Sequence, residues 1–309
     1  MSFDRLIARI VETGNPTVVG LDPKLDYIPE HIKEAAFQEH GNTLRGAAEA
    51  FLTFNKGIID AVCDIVPAVK PQCAYYEMLG YEGMCALYET IQYAKSRGMF
   101  VITDGKRNDI GSTMEAYAVA HLGEISINGA VAEPFGGDAL TVNGYLGTDG
   151  IKPLLGICNA KDKGIFALVK TSNPSSGELQ DREIDGEAVY SIMAGMCEAW
   201  GAESMGQYGY SAVGAVVGAT YPAQLAELRK KAPHTFFLVP GYGAQGGTAA
   251  DVAGAFDEKG LGAIVNSSRA ILTAWKKQNV PGEEYAAAAR NEAIRMRDDI
   301  TQYIPKITL

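Results

Sequence analysis

The chain has 309 residues, of which 47% are hydrophobic and 21% are charged, and its formal net charge at pH 7 is -10. These values are typical of a globular domain, and the acidic balance argues against a nucleic-acid partner. No apolar stretch is long enough to span a bilayer, so we expect no membrane partner. An anionic ligand would need a local positive site, because the overall field opposes its approach.

The cysteines and histidines show no pattern of a metal centre. Five cysteines are scattered along the chain without a CxxC pair, which predicts free thiols. Residues 1–13 do not have the form of a signal peptide, so we expect a cytoplasmic protein. The four histidines are not spaced like metal ligands, and we therefore expect no histidine-built metal site.

In chain order, residues 1–13 predict an amphipathic helix, after which short apolar runs alternate with longer helical patterns. The strand candidates are the eight runs Thr17–Leu21, Ile65–Val69, Met99–Thr103, Ala139–Val142, Ile165–Val169, Val213–Gly218, Phe236–Val239 and Ala263–Val265. Helices are expected near residues 43–62, 76–97, 112–125, 149–160, 185–203, 222–231, 247–257 and 283–302.

The alternation of strands and helices predicts a parallel sheet built from βαβ units. Eight units in this length favour an α/β fold of the (β/α)8 TIM barrel type, with residues 1–309 as a single domain. A doubly wound sheet stays open as an alternative, because periodicity does not show closure. The stretch 27–45 is interpreted as an insertion after the first strand, and the polar segment 171–184 as a lid or binding loop.

The third strand candidate ends in a row of charges. Asp104 and Lys106 are two residues apart and should share one face of the strand, and Asp109 follows in a turn before a helix. The segment Ser112–Glu115 has the form of a capping box for that helix. Charges at the end of a buried strand are costly unless they pair or take part in chemistry. The alternative is structural, because Asp-Gly is a common turn pair and Asp109 could be a turn residue.

Polar residues follow six of the eight strands, at the end where a barrel builds its active site. These segments are Asp22–Lys24, Lys70–Gln72, Asp104–Asp109, Lys170–Pro174, Pro240–Gly247 and Asn266–Arg269. Loops after strands 7 and 8 are the recurrent phosphate site of this fold. The glycines of 240–247 would let backbone N–H groups approach an oxyanion, and Arg269 could bind its oxygens with a forked pair of hydrogen bonds.

Five segments resemble, in the same order, those of the orotidine 5'-phosphate decarboxylase family. The segments are Leu21–Pro23, Lys70–Gln72, Asp104–Thr113, Pro240–Gly247 and Ser268–Arg269. The resemblance covers about residues 15–275 and is greatest to the family's longer bacterial-type branch. One departure is Ser268, which stands where the shorter branch usually has glycine.

The resemblance implies decarboxylation of orotidine 5'-phosphate to uridine 5'-phosphate in pyrimidine biosynthesis, without metal or cofactor. It implies an alternating network of Lys70, Asp104, Lys106 and Asp109, in which Lys106 protonates C6 of the pyrimidine. The implied substrate contacts are Asp22 and Lys70 on the ribose, Ser172 on the pyrimidine edge, and Gln245, Arg269 and the backbone of Ser268 on the phosphate. Asp109 and Thr113 would reach the neighbouring subunit's site, which implies a homodimer.

Three alternatives remain at this point. A sugar-phosphate enzyme with the same Asp-x-Lys-x-x-Asp core would use Asp104 as a magnesium ligand. A Schiff-base aldolase could use Lys70 or Lys170. A nucleotide-binding regulatory barrel would bind its ligand without turnover.

Overall fold

A computed structural model describes residues 3–243 and 245–309, so that Met1 and Ser2 of the predicted first helix and Ala244 of the glycine-rich loop lie outside the described residues. Eight parallel strands form a closed barrel in chain order. They are β1 (Thr17–Leu21), β2 (Ala68–Pro71), β3 (Phe100–Arg107), β4 (Ala139–Val142), β5 (Gly164–Lys170), β6 (Val213–Val217), β7 (Phe237–Val239) and β8 (Ala263–Ser267). The TIM-barrel prediction is confirmed, and the doubly wound alternative is wrong, because β1 pairs with both β2 and β8.

Alternation along the strands divides the core into two clusters. Val18 packs with residues inside the barrel, whereas the next residue, Val19, packs with the surrounding helices. Strands covered on both faces are apolar at successive positions, which is why the strands appear in the sequence as continuous apolar runs.

The first helix, α1 (Asp4–Thr13), packs against the amino ends of the strands. Its Leu6, Ile7 and Ile10 are fully buried in the inner cluster. Phe3, just before the helix, has its ring centroid 4.7 Å from that of Phe166 on β5. The amphipathic pattern predicted for this segment therefore serves to close one end of the barrel.

Twelve further helices follow in the part of the chain that the structure describes, and most of them lie where the sequence predicts. They are α2 (Glu30–His40), α3 (Leu44–Val62), α4 (Cys73–Glu77), α5 (Gly80–Ser96), α6 (Gly111–Leu122), α7 (Thr148–Lys161), α8 (Val189–Gly201), α9 (Pro222–Lys231), α10 (Ala249–Val252), α11 (Arg269–Leu272), α12 (Ala274–Lys277) and α13 (Tyr285–Thr301). The proposed insertion at 27–45 contains α2, which packs on α3. No described helix is both long and apolar enough to cross a membrane.

Two predicted helices differ from the structure for local reasons. The helix expected at 76–97 is divided into α4 and α5, because Gly80 has a left-handed φ of +61°. The helix expected at 247–257 is the short α10, followed by a 3₁₀ turn, Ala253–Ala255. Thr248 and Asp251 form a capping box that sets the start of α10.

The capping box expected at Ser112–Glu115 does not form. The helix α6 begins earlier, at Gly111, and its N-cap residue Ile110 makes no side-chain cap. Ser112 and Thr113 therefore lie inside the first turn, where both are exposed.

Two strands are also shifted. The run at 65–69 becomes a strand only from Ala68, because the amides of Ile65 and Val66 still bond back to Val62 at the end of α3. The strand β3 continues to Arg107, beyond the predicted end at Thr103, and Arg107 pairs with Val142 of β4 after a register shift.

Candidate active site

A cavity of about 780 Å³ opens at the carboxyl end of the barrel. Side chains from the ends of seven strands and from the loops after them line this cavity. The lining includes Asp22, Lys70, Asp104, Lys106, Thr141, Leu168, Ser172, Val216, Leu238, Gln245, Asn266, Ser268 and Arg269. Most of the residues that the sequence placed in one site are therefore brought together.

Strand alternation explains why polar groups enter this cavity. On β2, β3 and β4 an apolar residue of the inner cluster is followed, two positions later, by a polar residue that lines the cavity. The pairs are Ala68 and Lys70, Ile102 and Asp104, and Ala139 and Thr141. Residues two apart on a strand point the same way, so the polar residues form the top layer of the barrel interior.

Asp104 is the centre of a hydrogen-bonded cluster. Its Oδ2 accepts from Lys70 Nζ at 2.7 Å and from Gln72 Nε2 at 3.0 Å. Its Oδ1 accepts from Lys106 Nζ at 2.6 Å and from Thr141 Oγ1 at 2.8 Å. Both carboxylate oxygens are thus satisfied by groups from three strands and the loop after β2.

These contacts fix the charge states of two buried groups. Burial alone would raise the pKa of Asp104, but the charges of Lys70 and Lys106 outweigh it and hold the pKa well below its usual range. Burial alone would lower the pKa of Lys70, but the carboxylates of Asp104 and Asp22 outweigh it and raise the pKa above its usual value. A charged Lys70 is a poor nucleophile, which disfavours the Schiff-base alternative at this residue.

Lys106 has an unusual backbone. Its φ is +48°, in the left-handed region, which costs about 1–2 kcal/mol for a residue with a Cβ. Its amide donates to Thr141 Oγ1 at 3.0 Å. Its side chain, 46% exposed, pairs with Asp104 at the open side of the cluster. Strain of this kind is found where the surrounding structure holds a functional group in place.

The cavity also contains polar atoms without partners. Asp22 Oδ1 and Asn266 Oδ1 are buried and accept no hydrogen bond from the described residues. Buried acceptors are normally satisfied, so these two oxygens are candidates to receive hydroxyl or N–H groups of a ligand.

The loop after β7 is built differently from the prediction. Gly241, Gly243 and Gly246 have φ between +70° and +102°, as their glycine identity allows. The amides of Gly243, Gly246 and Gly247 donate to carbonyls of the loop itself at 2.8, 3.0 and 3.1 Å. These three N–H groups therefore stabilise the turn and do not point to a free anion site.

Side chains around this loop line the cavity. A Cβ at Gly241 would meet both Gln245 and Ser172, and Gln245 lines the cavity together with Arg269. The helices α10 and α11 have only four residues each, so their dipoles contribute little to the site. Ser268 has a φ of -116°, so this position does not require glycine.

Asp109 and Thr113 do not line the cavity of their own chain. Asp109 is half-buried and its Oδ1 accepts from the amide of Ile110 at 2.8 Å, whereas Thr113 is exposed on α6. In a single chain, Lys70, Asp104 and Lys106 of the proposed four-residue network are thus in contact, whereas Asp109 is not part of their cluster.

Lys170, the other Schiff-base candidate, does not line the cavity. Its side chain is fully buried, and Nζ lies 2.6 Å from Asp181 Oδ1 in the following loop. Its ammonium group also lies 4.3 Å from the ring centroid of Tyr221. This lysine is positioned to hold the loop rather than to attack a substrate.

No role was predicted for Gln72, Thr141 or Asn266. A usable signal was present for Gln72 and Thr141, since each stands two positions beyond a residue that points into the barrel. No comparable signal indicated that the side-chain carbonyl oxygen of Asn266 would be left without a partner among the described residues.

A closed barrel with buried lysine and aspartate side chains at its carboxyl end is the architecture of a TIM-barrel enzyme. Residues 47–281 match the model of the orotidine 5'-phosphate decarboxylase / HUMPS family. The orotidine 5'-phosphate decarboxylase of Rhodopirellula baltica is 48% identical over 285 residues, which are 92% of this chain and 91% of that protein. That of Clostridium tetani is 43% identical over 305 residues, 98% of this chain and 99% of that protein.

A solved structure of Leishmania donovani OMP decarboxylase is also similar, with a TM-score of 0.74 at 29% identity over 98% of both chains. The chain belongs to the orotidine 5'-phosphate decarboxylase / HUMPS family. It is an enzyme of the carboxy-lyase class, and the regulatory barrel without turnover is thereby set aside.

Proposed function

We propose that the protein decarboxylates orotidine 5'-phosphate to uridine 5'-phosphate in pyrimidine biosynthesis. The observation that carries the proposal is the Lys70–Asp104–Lys106 cluster, which places an ammonium group beside a buried carboxylate in a cavity of suitable size. The names of the relatives support the same reaction.

In this mechanism Lys106 acts on the carbon that loses CO2. Cleavage of the bond between C6 and the carboxyl carbon leaves the electron pair on C6, where a nearby ammonium group stabilises it. Lys106 then delivers its proton to C6, and the new C–H bond completes the product. The carboxylate of Asp104 keeps Lys106 close at 2.6 Å, and its own charge disfavours a neighbouring substrate carboxylate until CO2 leaves.

The remaining residues would bind the parts of the substrate that do not react. Asp22 and Lys70 would hold ribose hydroxyls, a role supported by the unpartnered Oδ1 of Asp22. Ser172 would contact the pyrimidine edge. Gln245, Arg269 and the backbone of Ser268 would bind the phosphate, and this remote binding energy would help to orient the ring.

We propose that the reaction needs no metal ion. Each oxygen of Asp104 already accepts a hydrogen bond from an ammonium group, so a cation at this carboxylate would have to displace a lysine. Groups of three or more potential metal ligands were also not found among the described residues.

One assay tests both the reaction and its metal independence. Orotidine 5'-phosphate is added to enzyme before and after exhaustive dialysis against EDTA, and loss of the orotate-type ultraviolet absorbance is followed. We expect the same rate in both samples. Loss of activity that returns with Mg²⁺ would favour the sugar-phosphate alternative, and no absorbance change in either sample would contradict the decarboxylase proposal.

We also propose a homodimer in which Asp109 and Thr113 complete the partner's site. Both residues stand outside their own cavity, and Lys106 is half open to solvent in a single chain. Exposed apolar side chains follow β3 and β4 on the same side of the molecule as the cavity. These side chains are Ile110, Tyr145 and Leu146.

For the location of the enzyme we propose the cytoplasm. The five cysteines are free thiols, and three of them are buried, as expected for a protein that folds in a reducing compartment.

A further inference from the structure

One hydroxyl group joins the two charged residues of the reaction. Thr141 lies on β4 with 1% of its surface exposed. Its Oγ1 donates to Asp104 Oδ1 at 2.8 Å and accepts from the amide of Lys106 at 3.0 Å. An ionised carboxylate only accepts, so the single hydroxyl proton is directed to Asp104 and a lone pair is left for the amide.

The amide that donates a hydrogen bond to Thr141 belongs to a residue with a strained backbone. Five described residues other than glycine have positive φ, and four of them are Asn or Asp, the types that tolerate this conformation best. The fifth is Lys106, which lies within β3 rather than at a turn between elements. A lysine keeps such a conformation only where neighbouring groups impose it, and the hydrogen bond to Thr141 is one such group.

The left-handed backbone has a direct consequence for the side chain. It interrupts the regular register of β3 against β4, which shifts between Thr103 and Arg107. In this arrangement Lys106 Nζ lies 2.6 Å from the same Oδ1 that Thr141 contacts. The hydroxyl therefore fixes both the carboxylate and the backbone that carries the ammonium group.

We propose that Thr141 is a positioning residue of the decarboxylation, acting through Lys106 and Asp104. This inference rests on the proposed function. Thr141 holds the left-handed backbone of Lys106 and the orientation of the Asp104 carboxylate in one arrangement, so that the proton donor is aimed before the substrate binds. Pre-positioning of this kind lowers the barrier of the chemical step rather than the dissociation constant of the product.

The test compares three variants with the wild type. Thr141→Val removes the hydroxyl at similar volume, Thr141→Ser keeps the hydroxyl, and Thr103→Val is the matched control. Thr103 is also a fully buried threonine of the barrel sheet, but its hydroxyl has no partner among the described residues and does not line the cavity. For each protein we would measure kcat and KM for orotidine 5'-phosphate, Kd for uridine 5'-phosphate, and the melting temperature.

We expect Thr141→Val to lower kcat by about 10- to 100-fold, a size set by loss of orientation of the acid. Its Kd for uridine 5'-phosphate should stay within about threefold of the wild type, because other side chains are proposed to bind ribose and phosphate. Thr141→Ser should recover most of kcat, and Thr103→Val should match the wild type. A crystal structure of Thr141→Val should show Lys106 with a changed φ or with Nζ moved away from Asp104.

Other outcomes would overturn the proposal. The proposal would be wrong if Thr141→Val kept the wild-type kcat, or if its crystal structure showed Lys106 unchanged. It would also be wrong if Thr141→Val and Thr141→Ser lost kcat equally. If Thr141→Val does not fold, Thr141→Ala removes the same hydroxyl with less steric demand, and the same results are expected of it. The wild type is assayed in parallel, so that a failure of the proposed function appears as absence of turnover in every protein, whereas the crystal structure still tests the positioning.

Discussion

The environment of Asp104 shows what a charged residue at the end of a buried strand requires. It is buried and carries a negative charge, yet four donors satisfy its two oxygens. Lys106 is half-exposed and three other donors would remain on Asp104 without it, so removing Lys106 should affect chemistry more than folding.

Lys106→Ala should reduce kcat by at least about 10³-fold, because proton donation and stabilisation of the carbanion both act in the transition state. The protein should still fold, since Asp104 keeps Lys70, Gln72 and Thr141 as partners. Steady-state kinetics with orotidine 5'-phosphate, together with a circular-dichroism melt, would check both points. Near-normal turnover in a folded variant would exclude the proposed role.

Arg269→Ala should raise KM strongly and lower kcat to a smaller extent, since remote phosphate binding also contributes to orientation. The loss in kcat/KM should be at least about tenfold smaller for orotidine, which has no phosphate. Arg269→Lys is the matched control, because it keeps the charge and loses the fork of donors. Equal losses for the two substrates would show that Arg269 does not contact the phosphate.

At the scale of elements, the loop after β5 illustrates how one buried side chain can hold a segment. Its short hairpin, Glu183–Ile184 with Glu187–Ala188, follows a 3₁₀ turn, and two contacts tie the loop to the barrel. Lys170 pairs with Asp181 at 2.6 Å. The side chain of Gln180 accepts from the Thr171 N–H through Oε1 at 2.9 Å and donates from Nε2 to Thr171 Oγ1 at 2.8 Å. Thr171 and Gln180 line the cavity, so the conformation of the loop sets part of the substrate pocket.

Asp181→Ala should therefore loosen the loop. We expect KM for orotidine 5'-phosphate to rise roughly tenfold, because binding must then order the segment, and tenfold corresponds to about 1.4 kcal/mol. Cleavage by trypsin after Arg182 should become faster, and uridine 5'-phosphate should slow it. Glu183→Ala, an exposed acidic residue two positions away, is the control. If Asp181→Ala and Glu183→Ala show the same KM and cleavage rate, the ion pair does not hold the loop.

At the scale of the whole molecule, the proposed homodimer would bring Asp109 of each chain to the partner's cavity. The cavity is closed below by the strands and α1, but the side of Lys106 remains open, and Asp109 lies outside. A two-fold axis near the ends of β3 and β4 would place each Asp109 beside the partner's Lys106.

Mixing two inactive variants tests this arrangement. Asp109→Ala and Lys106→Ala homodimers should each be nearly inactive. Their heterodimer should hold one intact site, formed by Lys106 of one chain and Asp109 of the other, and should regain about half of the wild-type activity. Subunit exchange would be verified by mass labelling. Exchange without recovery would mean that Asp109 serves the site of its own chain.

The sequence by itself determined the order of strands and helices and many of the polar residues that line the cavity. Alternating apolar runs and helical patterns are local signals, and the Asp104–Lys106 spacing placed both side chains on one face because strand geometry repeats every two residues. Segment ends were less predictable, as at Gly80 and Ala68, since caps and positive φ decide them.

Only the tertiary structure decided which groups meet. Lys70 and Thr141 stand 34 and 37 residues from Asp104, and the pairing of β2 and β4 on either side of β3 brings them to one carboxylate. The sequence also did not predict the left-handed φ of Lys106 or the hydrogen bonds within the glycine-rich loop after β7. Both backbone conformations depend on hydrogen bonds that form only when the chain has packed. Strand period is a property of neighbouring residues, whereas the register between strands is set by the whole barrel.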